Sequence, residues 1–151
     1  MKINDYINSF VFDYFETYSY NREEQEGKYT GSDLLIDRTG EWHATAERKA
    51  VYEAGNQQVI IAILNRPEDF VLRFLCAPYY RDAIVFYNKT GEIVSVLNVC
   101  LSCCHMTDGK QDIEADYLIY DDLKRFFIAC GHEVESPDKF YEDEIRKMRK
   151  K

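Results

Sequence analysis

Cys100-Leu-Ser-Cys103-Cys104-His105 is the segment of this chain best equipped for chemistry. Two thiolates three positions apart can grip one Zn²⁺, and Cys104 or His105 adds a further ligand. If the strand that Cys100 closes pairs with the strand before it, Cys76 is carried towards Cys103. A closed structural site of Cys76, Cys100, Cys103 and His105 then becomes conceivable. Cys100 and Cys103 also form a Cys-x-x-Cys pair that could cycle between thiols and a disulfide. Against that, the following residues (His105-Met-Thr-Asp-Gly-Lys110) do not read as a helix whose N-terminus would favour a thiolate. A third reading makes Cys76, Cys100 and Cys130 small buried hydrophobes, as free cysteines commonly are. All three readings stand on sequence, so the cofactor expectation is none, or one zinc ion.

The remaining reactive residues form no set. His43, His105 and His132 are not spaced as ligands. His132 follows Gly131 and is expected to cap the preceding helix; His43, beside Trp42 after a turn, is expected to be exposed. Asp121-Asp122 and Glu142-Asp143-Glu144 are neighbours on helices, where adjacent side chains point apart, so they read as solvated faces. The chain has neither a Gly-x-Ser-x-Gly elbow nor a Gly-rich phosphate loop. The reading leans away from an enzyme.

The elements that must position the cysteines are partly legible. Ala83–Tyr87 and Ile93–Val99 are β-rich runs around the turn residues Asn88-Lys89-Thr90-Gly91, which predicts a hairpin over 83–99. Pairing Tyr87 with Glu92 sets Val85 against Val94 and Ala83 against Val96. Apolar residues at Ile3, Tyr6, Ile7, Phe10, Val11, Tyr14, Phe15 and Tyr18 follow a helical repeat, predicting one helix across this stretch. Residues 19–32 read as a loop, Leu34–Ile36 as a short strand and Trp42–Glu53 as its return. Asn56 is expected to cap a helix that Pro67 ends near Asn65. Asp116 is expected to cap a helix over 117–130 that Gly131 terminates, and Ser136-Pro137-Asp138 to open a final charged helix. Together these predict an α+β domain over residues 1–151: a mostly antiparallel sheet centred on the 83–99 hairpin, covered by the N-terminal helix and the 117–130 helix.

The charge is uneven. Residues 145–151 carry five of the 19 bases and none of the 27 acids, a basic tail expected to be solvated over 146–151. Residues 1–144 then hold 27 acids against 14 bases, a net of −13. Such a body repels nucleic-acid phosphates and attracts a basic protein. The start of the chain, Met1-Lys-Ile-Asn-Asp-Tyr6, contains no apolar leader core, and no stretch approaches the roughly 20 apolar residues that span a bilayer. A cytoplasmic setting with five reduced thiols is the expectation.

The pattern Cys76-x-Pro78, Ala-Ile-Val-Phe-Tyr-Asn-Lys-Thr-Gly-Glu-Ile-Val (83–94), Val99-Cys100-Leu-Ser-Cys103 and Gly131-His132 resembles a set of small uncharacterised bacterial proteins, over residues 76–132. The resemblance implies that the cysteine-ended hairpin is a family feature. In size, charge and lack of catalytic motifs the chain also resembles the immunity proteins of bacterial toxin systems, which implies a non-enzymatic inhibitor of a basic toxin. The alternative is a thiol-dependent module, with structural zinc or a redox pair at Cys100 and Cys103.

Overall fold

The computed structural model describes residues 1–22, 29–67, 76–134 and Arg149. Within them the chain forms α1 (Ile3–Ile7), β1 (Tyr14–Ser19), β2 (Glu47–Tyr52), α2 (Gln58–Leu64), β3 (Asp82–Tyr87), β4 (Ile93–Cys100), β5 (His105–Thr107), β6 (Asp112–Ile113) and α3 (Tyr117–Ala129). The six strands make one sheet in the order β2-β1-β3-β4-β5-β6, every pair antiparallel. This is an α+β fold, with the predicted hairpin at the sheet's centre as β3 and β4.

β3 is buried at all six positions, whereas β4 is buried only in its second half. On one face of the sheet, Phe15, Ile84, Phe86, Leu97, Val99, Met106 and Ile113 pack against Ile3, Tyr6 and Ile7 of α1, Ile60 and Leu64 of α2, and Ile119, Leu123 and Phe127 of α3. On the other face, Ala83, Val85, Tyr87 and Cys100 pack with Tyr20, Leu35 and Tyr80. That second cluster is roofed by chain outside the helices and strands. Asn98 holds the roof down. Its buried side-chain oxygen accepts from Leu35 N–H at 3.0 Å and from Tyr20 Oη at 3.3 Å, while its amide donates to Thr107 O at 3.2 Å.

α3 is the helix that the sequence marked most clearly. Asp116 is extended, and its carboxylate accepts from Leu118 N–H at 2.7 Å, supplying one of the partners a helix start lacks. Gly131 follows with φ +93°, a left-handed conformation that ends the helix without a Cβ penalty. α2 ends at Asn65 ahead of Pro67, as the proline requires, but Asn56 gives it no side-chain cap; only the Asn56 carbonyl is used, by Val59 N–H at 3.2 Å.

Several expectations need correction. The helix expected over residues 3–18 stops at Ile7, where Ser9 Oγ and N–H both turn back onto the Tyr6 carbonyl. Residues 14–19 form β1 instead, because Tyr, Phe and Thr suit a pleated strand and a place between β2 and β3 gives the backbone partners on both edges. Val11, which the helical stripe would bury, is 86% exposed. The strand expected over Trp42–Glu53 is confined to Glu47–Tyr52 and pairs with β1, not with Leu34–Ile36; one bridge, Ile36 to Trp42, joins those segments. The hairpin register is also shifted. Tyr87 pairs with Ile93, a bulge follows, and Val85 then faces Val96 and Ala83 faces Asn98. The turn is one residue longer than expected: Asn88 N–H donates to Glu92 O at 2.9 Å, with Gly91 at φ +85° inside it. The final charged helix lies outside the described residues, and so do residues 68–75.

Replacing Asp116 by Ala should remove the side-chain cap of α3 and lower the unfolding free energy by about 1 kcal/mol. Urea unfolding followed by far-ultraviolet dichroism would measure it, with the helix otherwise intact.

Candidate functional site

The cysteine segment lies where β4 turns into β5. Cys100 ends β4 and pairs directly across the ladder with His105. Cys104 between them has φ +54°, the left-handed backbone that lets the turn close. Cys76 and Cys103 are joined in a disulfide, their Cα atoms 6.1 Å apart. The expected approach of Cys76 to Cys103 therefore occurs, but not through strand pairing, since β3 begins only at Asp82. The expectation of five reduced thiols is corrected: Cys100, Cys104 and Cys130 are the free ones. The bond from Cys103 goes to Cys76, and Cys100 is a buried thiol beside it.

The surroundings of these sulfurs differ. Cys100 Sγ is 3.2 Å from Tyr79 N–H and 3.4 Å from Ser102 Oγ. Cys104 packs on the opposite side, against the helix-covered cluster, and burial pushes its thiol up to about 12, so it stays protonated and a poor nucleophile. Cys103 packs with the cluster that contains Cys100. His105 presents a buried Nε2 that has no hydrogen-bond partner among the described residues. With the disulfide closed, no group of three His, Cys, Asp or Glu side chains among the described residues is gathered to hold a metal ion.

The same sheet face carries an open groove of about 340 Å³. Val94, Val96 and Asn98 of β4 floor it, Ile36 and Trp42 wall one side, and the Asp108-Gly109-Lys110 turn walls the other. Trp42, Ile93 and Val94 are each at least 40% exposed, large apolar surface that a core would normally cover. Its lining carries one acid and one base, Asp108 and Lys110, and two further acids, Glu41 and Glu92, adjoin lining residues in sequence. Trp42 is held at 4.9 Å from the Tyr18 ring, so the wall is braced rather than loose. Sequence reasoning placed Trp42 in a strand and missed the groove. The available signal was one Trp in the chain, set beside the Thr39-Gly40 turn.

A buried polar network was also missed. Asp82, the first residue of β3, accepts two hydrogen bonds from Arg22 Nη2 at 3.0 Å and lies 2.7 Å from His132 Nδ1. His132 Nε2 is 3.0 Å from Thr17 Oγ1. His132 is thus no solvent-facing cap; it is buried and fastens the end of α3 to β1 and β3. The hydroxyl–imidazole–carboxylate order matches that of a hydrolase triad. Thr17, however, is wholly buried, so no substrate carbonyl can reach its oxygen. The network is a clasp. His43 is likewise not exposed: its side chain is 5% exposed, its Nδ1 lies 2.8 Å from Thr45 Oγ1, and its ring packs on Tyr29. Asp121, expected on a solvated face, is buried and ion-paired with Arg125 at 3.2 Å and with Arg149, a residue of the basic tail. Among the described residues, no helix is long and apolar enough to cross a membrane.

Asp82→Ala leaves the Arg22 guanidinium and His132 without their shared carboxylate inside the protein, and should cost about 3–5 kcal/mol of stability in urea unfolding. Reducing the Cys76–Cys103 bond, which closes a loop of 27 residues in sequence, should cost about 3–4 kcal/mol on chain-entropy grounds in metal-free buffer, read as a lower urea midpoint.

No protein-family model, curated protein or solved structure matches this chain.

Proposed function

We propose that the protein is a non-enzymatic acidic binding protein whose partner is a basic protein, with the groove beside Trp42 as the docking site. The observation that carries the reading is exposed apolar surface, Trp42, Ile93 and Val94, lining a groove on a body of net −13. Apolar anchors in a pocket supply affinity, and a charged body speeds encounter and selects the sign of the partner. In its more particular form this is an immunity-type inhibitor that acts in the cytoplasm by covering the basic active surface of a bacterial toxin. The triad-like residues lend an enzyme reading nothing, because they are sealed inside. A nucleic-acid partner is disfavoured by the same negative charge.

A second reading, a thiol-dependent module, is favoured by one observation: Cys76 and Cys103 meet although they lie 27 positions apart. It assigns the cysteines to holding the β4–β5 turn against the segment that leads into β3.

The binding reading is tested by crosslinking the tagged protein in its own host and identifying what it holds in stoichiometric amount. The expected partner has a net positive charge. Its capture should fall about 30-fold or more with Trp42→Ala, the loss of an interface anchor, and should weaken steeply as salt is raised through the physiological range. Expressed alone, a toxin partner should arrest growth, and co-expression of this chain should restore it. A partner that is acidic, or one whose capture ignores both Trp42→Ala and salt, would overturn the assignment.

A further inference from the structure

We propose that, in the reduced protein, Cys76, Cys100, Cys103 and His105 bind one zinc ion, and that the Cys76–Cys103 disulfide is the oxidised, metal-free alternative of the same site. The proposal deepens the thiol-dependent reading and rests on it.

The placement of the four residues carries the argument. The disulfide puts two sulfurs in one spot. Cys100 Sγ lies between the two segments that deliver them: it is 3.2 Å from the backbone nitrogen of Tyr79, three residues past Cys76, and 3.4 Å from Ser102 Oγ, the residue before Cys103. His105 stands directly opposite Cys100 in the β4–β5 ladder, and directly opposed residues project from the same sheet face, roughly 5 Å apart at Cβ. Its Nε2 is buried and, among the described residues, unpartnered, an arrangement that costs free energy in a histidine with nothing to bind. Three thiolates and one imidazole are a closed tetrahedral donor set of the kind that structural zinc takes. Sulfurs on a tetrahedral zinc are about 3.8 Å apart for Zn–S bonds of about 2.3 Å, a separation that Cα atoms 6.1 Å apart span by side-chain rotation alone.

The two states exchange in a balanced way. A dithiol reductant gives two electrons and two protons to the Cys76–Cys103 bond; the S–S bond breaks, two thiols form, and the reductant leaves as its own disulfide. Zinc then displaces the protons of Cys76, Cys100 and Cys103 and takes Nε2 of neutral His105, leaving the site with one net negative charge. Cys104 stays out of the set because it packs on the other side of the sheet, and Cys130 because it lies beyond α3, 3.5 Å from Tyr52 Oη. A reducing cytoplasm favours the zinc state and an oxidising compartment the disulfide.

The test uses the full chain, reduced with a phosphine and titrated with zinc against a chromophoric chelator, beside the oxidised chain. One zinc per reduced chain and none per oxidised chain is expected. Cys100→Ser and His105→Ala should each weaken binding at least 10-fold, whereas Cys104→Ser and Cys130→Ser should leave it unchanged. Cobalt(II) in place of zinc should give the absorption of a tetrahedral thiolate site, a readout independent of how stable each variant is. A reduced, folded chain that binds no zinc, or binds it equally well with Cys100→Ser, overturns the zinc site; if its disulfide still opens and recloses reversibly, the thiol-dependent reading survives. A disulfide that cannot be reduced without unfolding the protein overturns both.

Discussion

Burial of β3 on both faces is the constraint from which the rest of this fold follows. A central antiparallel strand with apolar residues at nearly every position needs cover on each side. The helices α1, α2 and α3 lie on one side, where they pack with Phe15, Ile84, Phe86 and Leu97. The other side is closed by irregular chain, with Leu35 and Tyr80 as its buried contacts. Irregular chain satisfies its own backbone only in part, as where His43 N–H reaches Leu35 O, and the remaining groups need polar anchors in the sheet. Asn98 is such an anchor, answering Leu35 N–H from inside β4. Because this cover is partial, the first half of β4 stays open to solvent, and there the groove lies.

Polar residues inside the fold thus act as fasteners between layers. Asp82, His132, Arg22 and Thr17 bind the end of α3 to the strands on the helix side, and Asn98 with Tyr20 binds the roof on the other. Each member is satisfied by named partners, the condition under which a buried network specifies one arrangement rather than destabilising it. The cysteine corner is a third fastener, at the end of the same β4 strand. The three stand in different chemical relations to their surroundings: a carboxylate clasp, an amide clasp and a bond that depends on electron supply.

What the sequence disclosed follows the range of the forces involved. Asp116 and Gly131 act within a few residues of themselves, so α3 was legible end to end. The β3–β4 hairpin was legible because its turn residues are local, yet its register was not, since one extra residue in the turn and one more in the bulge that follows the Tyr87–Ile93 pair move the pairing beyond them by two residues. Residues 3–18 deceived because aromatic residues at 14, 15 and 18 satisfy a helical repeat and a strand alike. What decided was the availability of β2 and β3 as neighbours, a fact about residues 28 to 73 positions away. His132 was misread for the same reason: its partner Asp82 is 50 residues distant. The meeting of Cys76 and Cys103 was anticipated from a register that the hairpin does not adopt. Trp42 carried no local mark of the groove it walls.

The outermost strand has a consequence for how the molecule meets its own kind. β2 presents Glu47, Arg48 and Lys49 in succession, with Lys49 tied to Glu47 at 2.9 Å and Arg48 to Glu16 at 3.0 Å. At the opposite margin β6 is only two residues long. A neighbouring chain seeking to extend the sheet would have to desolvate fixed charges at one border and would find almost no template at the other. The molecule can therefore leave Val51, Ile93 and Val94 in water without inviting fibre-like stacking, and high protein concentration becomes a tolerable condition rather than a hazard.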